Sequence, residues 1–142
     1  MDNKNELLID KFKQLIILHK VYFNKAASDN GLYYGQLPIL EYIINHKDCT
    51  QAEIAKYMNV TPSSVATSVK RMENAGLIKR TSDPSDLRYN RLKICEKGIQ
   101  CANKCRHCFD SIDRRMFDQL TNEEKEVFIH CLEKMIYGLD SE

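Results

Sequence analysis

Apolar positions recur at helical spacing near both ends of the chain and through its middle. Over one short stretch they alternate instead with cations. From about Lys4 to Ser28, Leu8, Phe12, Leu15, His19, Tyr22 and Ala26 step by four and three residues. That is the heptad-like seam of a long helix packing against another, and Asn30-Gly31 ends it. A second helix is predicted over roughly Tyr34 to Asn45, burying Leu37, Leu40 and Ile44, with Pro38 tolerated in its first turn. After Gly98 a long helix runs to about Gln119 on a stripe of Ala102, Cys105, Phe109, Ile112 and Met116. Thr121 and Glu124 form a capping box that opens a last helix, with Phe128, Cys131, Met135 and Leu139 as its stripe. A monomer of 142 residues cannot bury the seams of three such helices. The pattern therefore predicts an interlocked two-fold homodimer.

The middle of the chain is more specific. Thr50 and Glu53 read as a capping box for a short helix, with Ile54 and Met58 buried and the small Ala55 admitting a close neighbour. Asn59 ends it in the left-handed conformation. Thr61 as N-cap and Pro62 at the first helical position start another helix. Its inward face is Val65, Val69 and Met72, and Gly76 stops it. Ser63, Ser64, Thr67, Ser68, Lys70 and Arg71 are left outward. Short hydroxyls can approach base edges and cations can meet phosphates, as a recognition helix in a major groove requires. An ordinary solvated helix face is the plainer reading of the same residues. The next segment favours the recognition helix. Leu77, Ile78, Lys79, Arg80 and Thr81 read as a strand and Asp83-Pro84-Ser85-Asp86 as a turn. Arg88 falls in the connection, and Arg91 to Ile94 returns as a second strand of alternating basic and apolar residues. A hairpin with a basic tip can enter a minor groove or track a phosphate backbone.

The run QAEIAKYMNVTPSSVATSVKRMENAGLIKR, followed by DPSDLRYNRLKICEKG, resembles the MarR family of winged helix-turn-helix transcriptional regulators, named for multiple antibiotic resistance. Upstream, GLYYGQLPILEYIINH is similar to the family's second helix, so the likeness covers nearly the whole chain. It implies a mainly α fold with a small β-hairpin wing. Residues 1–142 would form one domain, with a DNA-binding lobe at 32–98 and dimerisation helices at 1–30 and 99–142. It also implies a homodimer on double-stranded DNA acting as a ligand-responsive repressor. The family usually carries Asp and two basic residues at the wing, where this chain has Asp86, Leu87 and Arg88, and a Thr where it has Cys95.

Charge adds an asymmetry. The net charge is +1, which by itself says little about nucleic acid. From Thr61 to Ile94, however, seven basic residues face three acidic ones, and from Phe109 to Glu142 four face nine. One part of the chain suits phosphates and another repels them. Hydrophobic residues make up 43% and charged residues 29%, an ordinary soluble composition. No apolar run is long enough to span a membrane. The polar, acidic start MDNKNELLID lacks a signal-peptide pattern, so a cytoplasmic location with reduced cysteines is expected.

Two clusters remain. Cys101, Cys105 and Cys108 share one helical face over two turns, where thiolates could bind a soft metal or respond to oxidants. Cys105 also falls on the apolar stripe, and a free cysteine packs as a small hydrophobe. Core packing is therefore expected, with no metal or cofactor, and a thiol-sensing regulator is the alternative. His19, Tyr22, Tyr33 and Tyr34 could line a pocket for a small aromatic effector, as the resemblance implies, or simply pack. No phosphate-cradling glycine loop, G-x-S-x-G or H-E-x-x-H occurs, so no enzyme is expected.

Overall fold

The computed structural model describes residues 2–141, and only the backbone of Asp83, Asp86, Leu87, Arg88 and Tyr89. Its elements are α1 (Asn3–Asp29), α2 (Gln36–Asn45), α3 (Gln51–Met58), α4 (Pro62–Asn74), β1 (Ile78–Asp83), β2 (Asp86–Ile94), α5 (Glu96–Phe117) and α6 (Asn122–Asp140). The architecture is mainly α with a two-stranded antiparallel wing, as the sequence leads one to expect. The chain divides into two compact units, one ending at Cys108 and the other beginning at Phe109.

In the first unit, Leu37 and Leu40 of α2, Ile54 of α3, Val65, Val69 and Met72 of α4, and Leu92 of β2 are fully buried. They form the core that carries the hairpin and α4. Helix ends here are set by backbone chemistry. After α1 the Leu32 N–H reaches the Ala27 carbonyl at 2.8 Å, after α3 the Val60 N–H reaches Ala55 at 3.1 Å, and after α4 the Leu77 N–H reaches Met72 at 2.9 Å. Each is the six-to-one bond that closes a Schellman motif. The residue that must turn left-handed is Gly31, Asn59 or Gly76, with φ of 75°, 52° and 76°.

Several expectations need correcting. Ala27 rather than Ala26 is the buried residue of α1, and Ile43 rather than Ile44 is fully buried in α2. In both cases the neighbour one position away lies on the flank of the same apolar stripe. Only half of the Thr50 capping box is present as expected: the hydroxyl accepts from the Glu53 N–H at 3.2 Å, while the Glu53 carboxylate lies 4.0 Å from Arg91 Nη1. The hairpin closes through Pro84-Ser85 alone, because Asp83 pairs with Asp86. Arg88 therefore lies in β2 and not in the connection. Gly98 lies within α5, which starts at Glu96.

Leu8, Phe12, Leu15 and Tyr22 of α1 are exposed. In the second unit no residue of α6 is buried, and Phe128, Met135 and Leu139 face solvent. The full capping box at Thr121 and Glu124 is formed.

Candidate nucleic-acid interface

The position of α4 follows from how it begins and from the face it buries. Asn59 turns the chain out of α3, and Thr61 Oγ1 accepts the Ser64 N–H at 3.2 Å. Pro62, with no N–H to satisfy, takes the first helical position. Burial of Val65, Val69 and Met72 then turns Ser63, Ser64, Thr67, Lys70 and Arg71 to solvent, with Ser68 half-buried beside them. Thr67 Oγ1 donates to the Ser63 carbonyl at 3.0 Å. Its proton is engaged, but its lone pairs can still accept. Ser63 Oγ lies 3.3 Å from Thr61 Oγ1.

The cations differ in how free they are. Lys70 and Lys79 extend into solvent. The Arg71 guanidinium sits over the Tyr33 ring, 4.7 Å from its centroid, a cation–π contact worth about 0.5–1 kcal/mol at an exposed site. Arg80 Nε donates to Glu73 Oε2 at 3.1 Å, which ties β1 to α4. The side chain of Arg88 lies outside the described residues. Neither the Arg80 nor the Arg71 contact has a sequence signal, because the partners meet only after α4, the wing and the loop before α2 have packed.

Of the four aromatic pocket candidates, Tyr33 and Tyr34 line a cavity of about 420 Å³ with Asn24, Ser28, Gly31 and Leu32. His19 and Tyr22 are not in its lining. The His19 ring packs instead on Phe23, centroids 4.0 Å apart.

The cysteine cluster is part of the packing. Cys105 is completely buried. Cys101 Sγ donates to the Asn30 carbonyl at 2.9 Å, and Asn30 Nδ2 donates to Cys108 Sγ at 3.6 Å, so these thiols tie α5 to the end of α1. Burial pushes the Cys105 thiol from the ordinary value near 9 up to about 11, aided by Cys101 and Cys108, and burial also raises Cys101. Protonated thiols are poor nucleophiles and poor metal ligands. Among the described residues no three His, Cys, Asp or Glu side chains converge on a metal position.

Residues 30–88 match the family model described as the MarR family. The helix-turn-helix transcriptional regulator YwhA of Bacillus subtilis (strain 168) is 30% identical over 97 residues, covering 68% of this chain and 70% of YwhA. The chain belongs to the MarR family. The MarR-type fold extends to a solved Staphylococcus aureus MepR–DNA complex, with a TM-score of 0.77 and 25% identity over 89% of this chain and 94% of that one. The transcriptional repressor Mb2911 of Mycobacterium bovis is 26% identical over 110 residues, 78% of this chain and 79% of Mb2911. The protein is thus a MarR-family transcription regulator with a DNA-binding winged helix. No helix of the described residues is long and apolar enough to cross a membrane.

Proposed function

We propose that two copies of this chain bind one operator in double-stranded DNA and repress transcription in the cytoplasm until a small effector weakens the complex. The observation that carries this reading is the outward face of α4, where short hydroxyls lead and Lys70 and Arg71 come after them. Ser63, Ser64, Thr67 and Ser68 read base edges. Lys70, Arg71, Lys79 and Arg88 meet phosphates or the minor groove, with Arg80 holding the wing to α4 through Glu73. Residues 32–98 form the DNA-binding lobe, and 1–30 with 99–142 form the dimer. The exposed apolar seams of α1 and α6 support that division, and dimerisation sets two α4 helices about one DNA turn apart. The effector takes the cavity at Tyr33 and Tyr34, from which Tyr33 reaches Arg71, and favours a dimer whose half-site spacing is wrong for the operator. The Mb2911 and MepR relatives support the repressor and DNA readings respectively.

Selection of bound duplexes from a random pool, with sedimentation of the free and bound protein, tests this. A two-fold symmetric site and a dimer at micromolar concentration are expected. A well-behaved monomer, or a pool that never enriches, overturns the proposal.

A further inference from the structure

A second cavity, of about 380 Å³, is lined by none of the residues given a role in DNA or effector binding above. Its floor is aliphatic: Ile43 and Ile44 of α2, Leu92 and Ile94 of β2. Ile43 and Leu92 are fully buried, whereas Ile44 and Ile94 keep part of their surface in the opening. The rim carries Lys47, Lys93 and Asp48, all exposed. Two cations therefore stand against one anion above a floor that contains no aromatic ring. The volume lies within the range of small-molecule sites, roughly 300–1,000 Å³.

The rim is held in a form that can open. Lys93 Nζ lies 3.7 Å from Asp48 Oδ1 with both side chains more than half exposed, and a pair so open to water contributes little. Asp48 has φ of 57°, a left-handed conformation that side-chain-bearing residues adopt at a cost. Two further contacts join this loop to the wing: the Leu92 N–H donates to the Cys49 carbonyl at 2.8 Å, and Arg91 Nη1 donates to the Asp48 carbonyl at 3.3 Å. An anion on the rim would draw Lys93 from Asp48, beside the point where β2 is anchored.

We infer that this cavity binds a small anion with an aliphatic body, such as a medium-chain carboxylate, its head group between Lys47 and Lys93 and its chain on the isoleucine floor. The head group competes with Asp48 for Lys93, so occupancy loosens the attachment of β2. That last consequence, a change in DNA affinity, rests on the DNA-binding reading; the site itself does not.

Octanoate and uncharged 1-octanol serve as probes, each titrated up to about 1 mM against the full chain carrying labelled isoleucine methyl groups. Saturable shifts of the Ile44 and Ile94 methyls are expected with octanoate, clearly stronger than with octanol. Lys47→Gln and Lys93→Gln should each weaken octanoate by roughly threefold, the scale of an exposed charge pair. Asp48→Asn should tighten it by a similar factor, since Asn tolerates the same left-handed backbone. The inference is overturned if these methyls do not saturate, if octanol matches octanoate, or if only Ile16 and Ile129 on the exposed faces of α1 and α6 respond. A parallel titration measures duplex affinity in octanoate. If the methyls saturate while affinity is unmoved, the link to the wing is refuted and the site stands. If no duplex binds at all, the methyl titration still decides the site.

Discussion

Substituting Gly98 by Ala tests the packing of α5 against Leu77 and Ile94, where the wing joins α4. A Cβ at Gly98 would lie 2.2 Å from the Leu77 carbonyl oxygen and 2.7 Å from Ile94 Cδ1. Close carbon-to-oxygen contacts are normally about 3.3 Å, so α5 must retreat from Leu77 by about 1 Å. Leu77 cannot easily yield. Its side chain is buried, and its carbonyl already accepts the Cys95 N–H at 2.9 Å. Overpacking of this kind costs about 1–3 kcal/mol, and a strained hydrogen bond adds up to about 1 kcal/mol. Alanine offsets at most about 1 kcal/mol through helix propensity. The net expectation is a loss of about 2 kcal/mol, read by urea denaturation at a fixed protein concentration, because the stability of the proposed dimer would depend on it. Ile94→Val in the same background should recover little, because the carbonyl and not the movable side-chain tip is the obstacle. A Gly98→Ala protein as stable as the parent would refute the reasoning. So would full rescue by Ile94→Val.

Asn59→Ala should lose about 1 kcal/mol, because its φ of 52° is strained for alanine, while Asn59→Gly should be close to neutral; thermal denaturation distinguishes them. Cys105→Ser should destabilise, since a hydroxyl enters an apolar seam, whereas peroxide or zinc should leave duplex affinity unchanged; a tenfold shift in affinity, about 1.4 kcal/mol, would reverse that reading. Cys49 and Cys105 both hold their protons up to about pH 11 against the ordinary value near 9. Their contribution to stability is therefore complete below about pH 9 and is lost as pH rises through 11. Cys49→Ala should flatten that alkaline limb in a pH series of denaturation curves.

Much of this was legible in the sequence because it is local. Thr61, Pro62, Asn59, Gly76 and Thr121 each satisfy or end a backbone within a few residues, and the structure places each in the expected role. The outward residues of α4 could be read from the spacing of Val65, Val69 and Met72. Less legible were choices between neighbours on one stripe, such as Ile43 against Ile44. The extent of β2 depended on how tightly Pro84-Ser85 could close. Gly98 was expected to precede the long helix, but it lies inside α5 at a point of close approach to Leu77. Contacts across elements left no signal: Arg80 with Glu73, Arg71 with Tyr33, and Arg106 with Glu41 depend on packing that residue spacing does not report.

Fluorescence anisotropy on the selected duplex and a scrambled one, across a salt series, tests the central claim most directly. Lys70→Ala, Lys79→Ala and Arg88→Ala should each weaken binding to both duplexes. Each should also make the slope of log affinity against log salt shallower by roughly one for every phosphate no longer neutralised, up to about two per dimer. Leu87→Arg should steepen it. Among the cation substitutions, Arg80→Ala, which removes a cation held by Glu73, should change the slope least. Ser64→Ala should cost about 1–3 kcal/mol on the selected duplex alone and leave the slope unchanged. If the serine and lysine substitutions produce the same pattern, or neither affects binding, then the outward face of α4 and the wing do not read DNA, which contradicts the function proposed for them.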